Sequence, residues 1–242
     1  MSITINQCKV SFGSSKISTD ELKLYLDAAN PTSYPGSGNI WYDISGEDNH
    51  AYVDPGAEGS GYDDNNFPVY QTTNGGRFYF NGSDGLTVLT DIGSPTEISA
   101  DFWCYKDDTS ATYFFDGRND GGQWWLSNYS SYNIIIHSAL RANDPVSYSS
   151  GSNWWGKWIH VVITSDVSGS KLYIDGDEIN DARLISSSSL AETLGQYFRI
   201  GNRYTSEGKW VGYWSIIRFY FRVITADEVL AHYNSEKTRF GK

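Results

Sequence analysis

Only two cysteines, Cys8 and Cys104, occur in the 242 residues. They could close at most one bridge, and a chain of this length has core enough without it, so both are expected to stay reduced. Runs of positive charge are also missing: 18 basic residues are scattered singly among 29 acidic ones, for a formal net charge of -11. A phosphate backbone is held by clustered Lys and Arg, so nucleic acid is not an expected partner. No apolar run approaches the length of a membrane span, so membrane insertion is not expected. The opening "MSITINQCKV" has neither the basic start nor the apolar stretch of a secretory leader. A protein made in the cytoplasm is expected, with an extracellular location after release as the alternative.

What is abundant is aromatic: nine Trp, 18 Tyr and 11 Phe, with 24 Gly to turn the chain. Period-two alternation recurs throughout, the signature of half-buried strands. In "EISADFWCY" the inward set is Ile98, Ala100, Phe102 and Cys104, with Ser99, Asp101, Trp103 and Tyr105 opposite; in "WIHVVIT" it is Ile159, Val161 and Ile163. "LKLYLDA", "RFYF", "TYFFD", "QWWLS", "NIIIHS", "KLYID", "YFRIG" and "YWSIIRFYFR" read the same way. Asn81-Gly82, Asp84-Gly85, Asp116-Gly117, Gly121-Gly122 and Asp175-Gly176 offer the positive φ of tight hairpins. Such strands at this spacing indicate an all-β chain of two antiparallel sheets packed face to face. One helix is signalled near the end of the chain, in "TADEVLAHYNSEK", where Thr225 and Glu228 form a capping box and Val229, Leu230 and Tyr233 an apolar stripe.

Taken in order, "LKLYLDAANPTSYPGSGNIWYDISGEDNHA", "FYFNGSDGL", "EISADFWCY", "KWIHVVITSDVSGSKLYIDGDEI", "FRIGNR" and "GYWSIIRFYFRVITADEVLAHYNSEKTRFG" resemble the concanavalin A-like jelly roll, in its laminin G-like branch. Trp41, Asp43, Ser45 and Gly46 match its Trp-x-Asp-x-Ser-Gly turn, and Leu172, Tyr173, Asp175 and Gly176 its Leu-Tyr-x-Asp-Gly hairpin. The resemblance implies a two-sheet antiparallel jelly-roll sandwich over residues 21-242 with one short C-terminal helix, preceded by an N-terminal arm or lead-in strand, 1-20. In the turn, Trp41 is expected to pack and Asp43 to bond backbone amides. The opening "YLDAANPTSYPGSGNIWYDISG" and the ending "HYNSEKTRFG" are similar to versions of this domain in structural proteins of tailed bacteriophages. That likeness implies a non-enzymatic virion protein decorating or stabilising the exterior of a capsid or tail, with other virion subunits and host-surface glycans as partners and room for a homo-oligomer. A free carbohydrate-binding lectin with a calcium-assisted site is the alternative.

The fold also hosts retaining glycosidases, whose two Glu and one Asp alternate along one strand. No strand here has Glu-x-Asp-x-x-Glu, and the acids Asp175, Asp177, Glu178 and Asp181 fall on a hairpin turn expected to face water. His50, His137, His160 and His232 form no metal or triad motif, so no catalytic residue is expected. Calcium, implied by the family, wants six to eight oxygens. Among the oxygen-rich loops "GYDDNN", "DGRNDGG" and "TSDVSGS", the candidate ligands are Asp116, Asn119, Asp120 and Asp166, with Asp116 and Asp166 converging on one rim. Sugar rings stack on exposed aromatics, and the candidates are Trp124, Trp125, Trp154 and Trp155, each pair offering one ring to either side of its strand.

Overall fold

The computed structural model describes residues 17–53, 67–108, 110–117, 124–130, 133–138, 146–149, 155–166, 168–179, 194, 198–203 and 209–242, without the side chains of 124, 125, 128–138 and 146–149. Cys8 and most of the expected N-terminal arm lie outside them.

Among the described residues the strands are β1 (Leu22–Asp27), β2 (Ile40–Trp41), β3 (Ala51–Val53), β4 (Val69–Gln71), β5 (Arg77–Asn81), β6 (Leu86–Val88), β7 (Ile98–Lys106), β8 (Thr112–Asp116), β9 (Trp124–Ser130), β10 (Asn133–Ser138), β11 (Val146–Ser149), β12 (Trp158–Asp166), β13 (Gly169–Ile174), β14 (Asp177–Glu178), β15 (Phe198–Ile200) and β16 (Val211–Tyr220). The first sheet runs β14-β13-β12-β7-β16-β5-β4, with β1 beside the second half of β16; the second runs β11-β10-β9-β8-β15-β6-β3-β2. The strand pairs are antiparallel. Two sheets of this kind are what the alternating segments imply.

The sheets meet through aromatic rings. Phe102 of the first sheet lies 5.2 Å from Phe115 of the second, Phe219 lies 4.9 Å from Phe115 and 5.1 Å from Phe198, and Phe78 lies 4.6 Å from Trp41. Burial on this scale is the chief stabilising term. Cys104 belongs to this core as a free thiol, and burial pushes its pKa well up, so it is inert.

β1 and β5 of the first sheet alternate as half-buried strands should, but its central strands are covered on both faces. β7 and β12 are buried almost throughout. The reason is the helix α1 (Ala226–Glu236), which lies on the outer face with the chain that follows it. Thr225 caps it, accepting from the Glu228 amide at 3.2 Å while the Glu228 carboxylate accepts from the Thr225 amide at 2.8 Å. The Arg222 guanidinium, opposed by burial and aided by the Thr225 amide, holds Glu228 at a pKa of about 2. Thr225→Ala is expected to cost about 1 kcal/mol, read as a shift of the urea midpoint at constant slope. The inward face of α1 differs from the expected stripe: Val229 and His232 are buried, whereas Leu230 is 45% exposed. A buried histidine replaces the leucine because the sheet surface below is itself polar, as the next section describes.

The hairpin β13–β14 turns at Asp175 and Gly176, both with positive φ (54° and 88°), as their sequence predicts. Asp116-Gly117 is different. Gly117 has no positive φ; a Cβ there would meet the Leu194 carbonyl, so glycine is required for close approach.

Candidate glycan-binding face of the second sheet

Alternation fixes which residues of the second sheet face away from the core. Leu86 and Val88 of β6, Phe198 and Ile200 of β15, Phe115 of β8 and Leu126 of β9 are core residues. Between them lie Thr87, Arg199 and Asp116. The register joins these across the sheet: Tyr52 of β3 is opposite Thr87, Thr87 opposite Arg199, Arg199 opposite Asp116, Asp116 opposite Trp125 and Trp125 opposite His137. One transverse row thus carries a phenol, a hydroxyl, a guanidinium, a carboxylate, an indole position and an imidazole position. Directly opposed residues on one face are close enough to act on one ligand together. Thr87, Arg199 and Asp116 are fully buried, although they sit on the face turned away from the core. The Thr87 hydroxyl has no hydrogen-bond partner among the described residues.

At the β2–β3 edge the row opens to solvent. Tyr42 is 37% exposed, and its ring stands edge-on to His50 with centroids 5.2 Å apart. His50 lies 6.4 Å from Tyr52. The loop that carries these rings is fixed by Asp43, which behaves as the sequence implies. Its carboxylate accepts from the amides of Tyr25 (2.7 Å), Ser45 (2.9 Å) and Asn49 (3.0 Å), and from the Ser45 hydroxyl at 2.7 Å.

Of the expected site residues, Trp125 and Asp116 fall in this row. Trp124 is the next position along β9, on the alternate phase. Trp155 is a core residue, 9% exposed, with the Lys106 ammonium 5.1 Å from its ring. It is removed from the candidates because the interior, not solvent, takes its ring. Asp166 closes the β12–β13 turn of the other sheet by accepting from the amides of Ser168 (2.6 Å) and Gly169 (3.2 Å). Asp116 and Asp166 therefore belong to different sheets. Trp154, Asn119 and Asp120 lie outside the described residues. Among the described residues, no group of three or more His, Cys, Asp or Glu is placed to hold a metal ion.

The rest of the histidine chemistry is structural. Asp101, on the outer face of the first sheet, is fully buried and lies 2.9 Å from His160 Nε2, 2.5 Å from His232 Nδ1 and 3.4 Å from the Arg218 guanidinium. Arg218 also bonds Glu236 of α1, and the Trp103 indole N–H donates to that same carboxylate at 2.7 Å. An Asp–His pair of this geometry would suit general-base work. Here the ring of Tyr220 and the C-terminal helix close over it, so it pins the helix instead.

A family model described as the concanavalin A-like lectin/glucanases superfamily, laminin G-like, matches residues 80–230. The chain belongs to this superfamily. Among solved structures with the concanavalin A-like fold, domain 4 of AbnA, a GH43 extracellular arabinanase from Geobacillus stearothermophilus, in complex with arabinotriose, superposes with a TM-score of 0.66 at 16% identity, covering 89% of this chain and 98% of that one. The receptor binding domain of botulinum neurotoxin C/D mosaic serotype gives a TM-score of 0.66 at 15% identity over 90% of this chain and 52% of that one. The botulinum neurotoxin serotype D ligand binding domain, in complex with N-acetylneuraminic acid, gives 0.64 at 16% identity over 90% and 52%. The chain thus spans about half the length of those toxin domains. No curated protein matches the chain in sequence.

The positions missing from the sequence reading are Tyr42, His50, Tyr52, Thr87 and Arg199. Their signal was weak: β2, β3 and β6 are two or three residues long, too short for alternation to declare a face, and Arg199, on the strand read in "YFRIG", has no local motif to mark it.

Proposed function

We propose that this chain is a non-catalytic glycan-binding module and that its ligand face is the outer face of the second sheet. The observation that carries the reading is the open β2–β3 end of that face, where Tyr42 is 37% exposed beside His50 and Tyr52 and the register continues into the buried hydroxyl, guanidinium and carboxylate of Thr87, Arg199 and Asp116. Sugars present both apolar C–H faces and hydroxyls, and need that combination. Support comes from the arabinanase domain, of similar size and fold, seen with arabinotriose. The absence of alternating carboxylates along any strand read from the sequence supports a binding role over a hydrolytic one.

A glycan array probed with the full chain tests this, with and without calcium and with a chelator. The candidate ligands for that ion remain Asp116, Asn119 and Asp120. Binding of a defined glycan set is expected, weakened about tenfold by Trp125→Ala. No hit in any condition overturns the reading.

The finer placement, on the exterior of a bacteriophage capsid or tail, rests on the likeness of the opening "YLDAANPTSYPGSGNIWYDISG" and the ending "HYNSEKTRFG" to phage structural proteins. Mass spectrometry of purified virions is expected to find the protein. Its absence there would remove the placement while leaving the glycan reading intact.

A further inference from the structure

We propose that Tyr42, His50 and Tyr52 form the ring-stacking end of the glycan face, and that the sugar they take is neutral rather than sialylated. This rests on the reading of the second sheet as a glycan-binding surface and names a subsite and a ligand class within it.

The three rings are brought together by the end hairpin of the sheet. Trp41 and Ala51 face the core, which puts their neighbours Tyr42, His50 and Tyr52 toward the outer side. Ring distances of 5.2 and 6.4 Å make a continuous patch, and Tyr52 connects it to Thr87. Tyrosine rings held by a rigid turn offer a large flat contact at small entropic cost. The turn here is rigid, for the Asp43 carboxylate holds four donors from both of its sides.

His50 adds direction. Its Nδ1 accepts from the Asp43 amide at 3.1 Å, so the neutral ring carries its proton on Nε2. No described residue accepts from that N–H, which leaves a donor beside the rings for a sugar oxygen.

The charge around the patch selects against acidic sugars. Glu47 and Asp48, on the loop between β2 and β3, are exposed, and the chain carries a net charge of -11. Lys23 of β1, which reaches that loop, is already held by Glu47 at 3.0 Å and Glu21 at 3.5 Å. An incoming carboxylate would meet like charge, with no unpaired Lys or Arg on that loop among the described residues.

The test is calorimetric titration of a neutral oligosaccharide from the array, and of its sialylated counterpart, into the full chain and into Tyr42→Ala, Tyr52→Ala and Trp125→Ala. The neutral sugar is expected to bind more tightly than the sialylated one, and each tyrosine variant to weaken it about tenfold without loss of fold by thermal melt. Wild-type affinity in both tyrosine variants, while Trp125→Ala binds poorly, would overturn the subsite and spare the glycan reading. Tighter binding of the sialylated sugar would overturn the ligand class. If the wild type binds neither sugar, the subsite and the broader reading fall together. Should Tyr52→Ala not fold, Tyr42→Ala decides alone, since its ring is well exposed.

Discussion

Asp101→Ala is expected to destabilise the protein by about 3–5 kcal/mol, the range for breaking a buried ion pair by removing one partner. Asp101 joins strand to helix: its two oxygens serve His160 from β12 and His232 from α1, and both face Arg218 from β16. Removing it takes from the fully buried Arg218 one of its two carboxylate partners, leaving Glu236, and takes from His160 and His232 the acceptor they share. Urea unfolding at pH 7 measures the loss, and a change below about 1 kcal/mol would mean the pair behaves like a surface salt bridge. The pH dependence has a definite sign. Burial alone would raise the Asp101 pKa, but Arg218 and the two imidazoles override it and hold the carboxyl well below its usual range. A depressed folded-state pKa gives stability that is present above the unfolded value of about 3.9 and is lost as pH falls through the folded one. The gap between wild type and variant is therefore expected to be widest near neutrality and to close on acidification below about pH 4.

This network also shows where sequence reading succeeds and where it stops. The inward sets of β7 and β12 were legible because a strand's period of two needs no other information. Their outward sets were legible as positions but not as environments. Asp101, Trp103 and His160 read as solvent-facing until α1 is laid over them, and that contact joins residues 131 and 133 positions apart in the chain. The helix itself announced its start through Thr225 and Glu228, yet its buried face could not be read without the polar sheet beneath it. Half of the candidate site was hidden for a similar reason. Asp116 and Trp125 stood out as residue types, whereas their alignment with Arg199, Thr87 and Tyr52 is a property of register, set by which strands pair. Trp155 carried the same letter as Trp125, and only packing distinguishes a core ring from a candidate ligand contact.

Trp41→Ala is expected to cost about 3–5 kcal/mol, the range for removing a large buried aromatic, and to lower the melting temperature by about 10 °C in a chain of this length. Trp41 is fully buried, its ring 4.6 Å from Phe78 of the opposite sheet, and its indole N–H has no hydrogen-bond partner among the described residues. Packing alone therefore holds it, and Trp41→Phe should recover part of the loss. The neighbouring residue provides the contrast. Tyr42→Ala removes a ring that is already 37% exposed and is expected to change stability by no more than about 0.5 kcal/mol. Thermal melts and sugar titrations of both variants separate the two roles. At temperatures where it remains folded, Trp41→Ala should still bind the neutral sugar, while Tyr42→Ala should be stable and bind poorly. Adjacent residues would then divide between core and ligand face because the strand turns each successive side chain to the opposite side. Equal loss of binding in both variants at matched folded fraction would show that the hairpin acts as one unit, and would assign the effect of Tyr42 to the shape of the loop rather than to contact with the sugar.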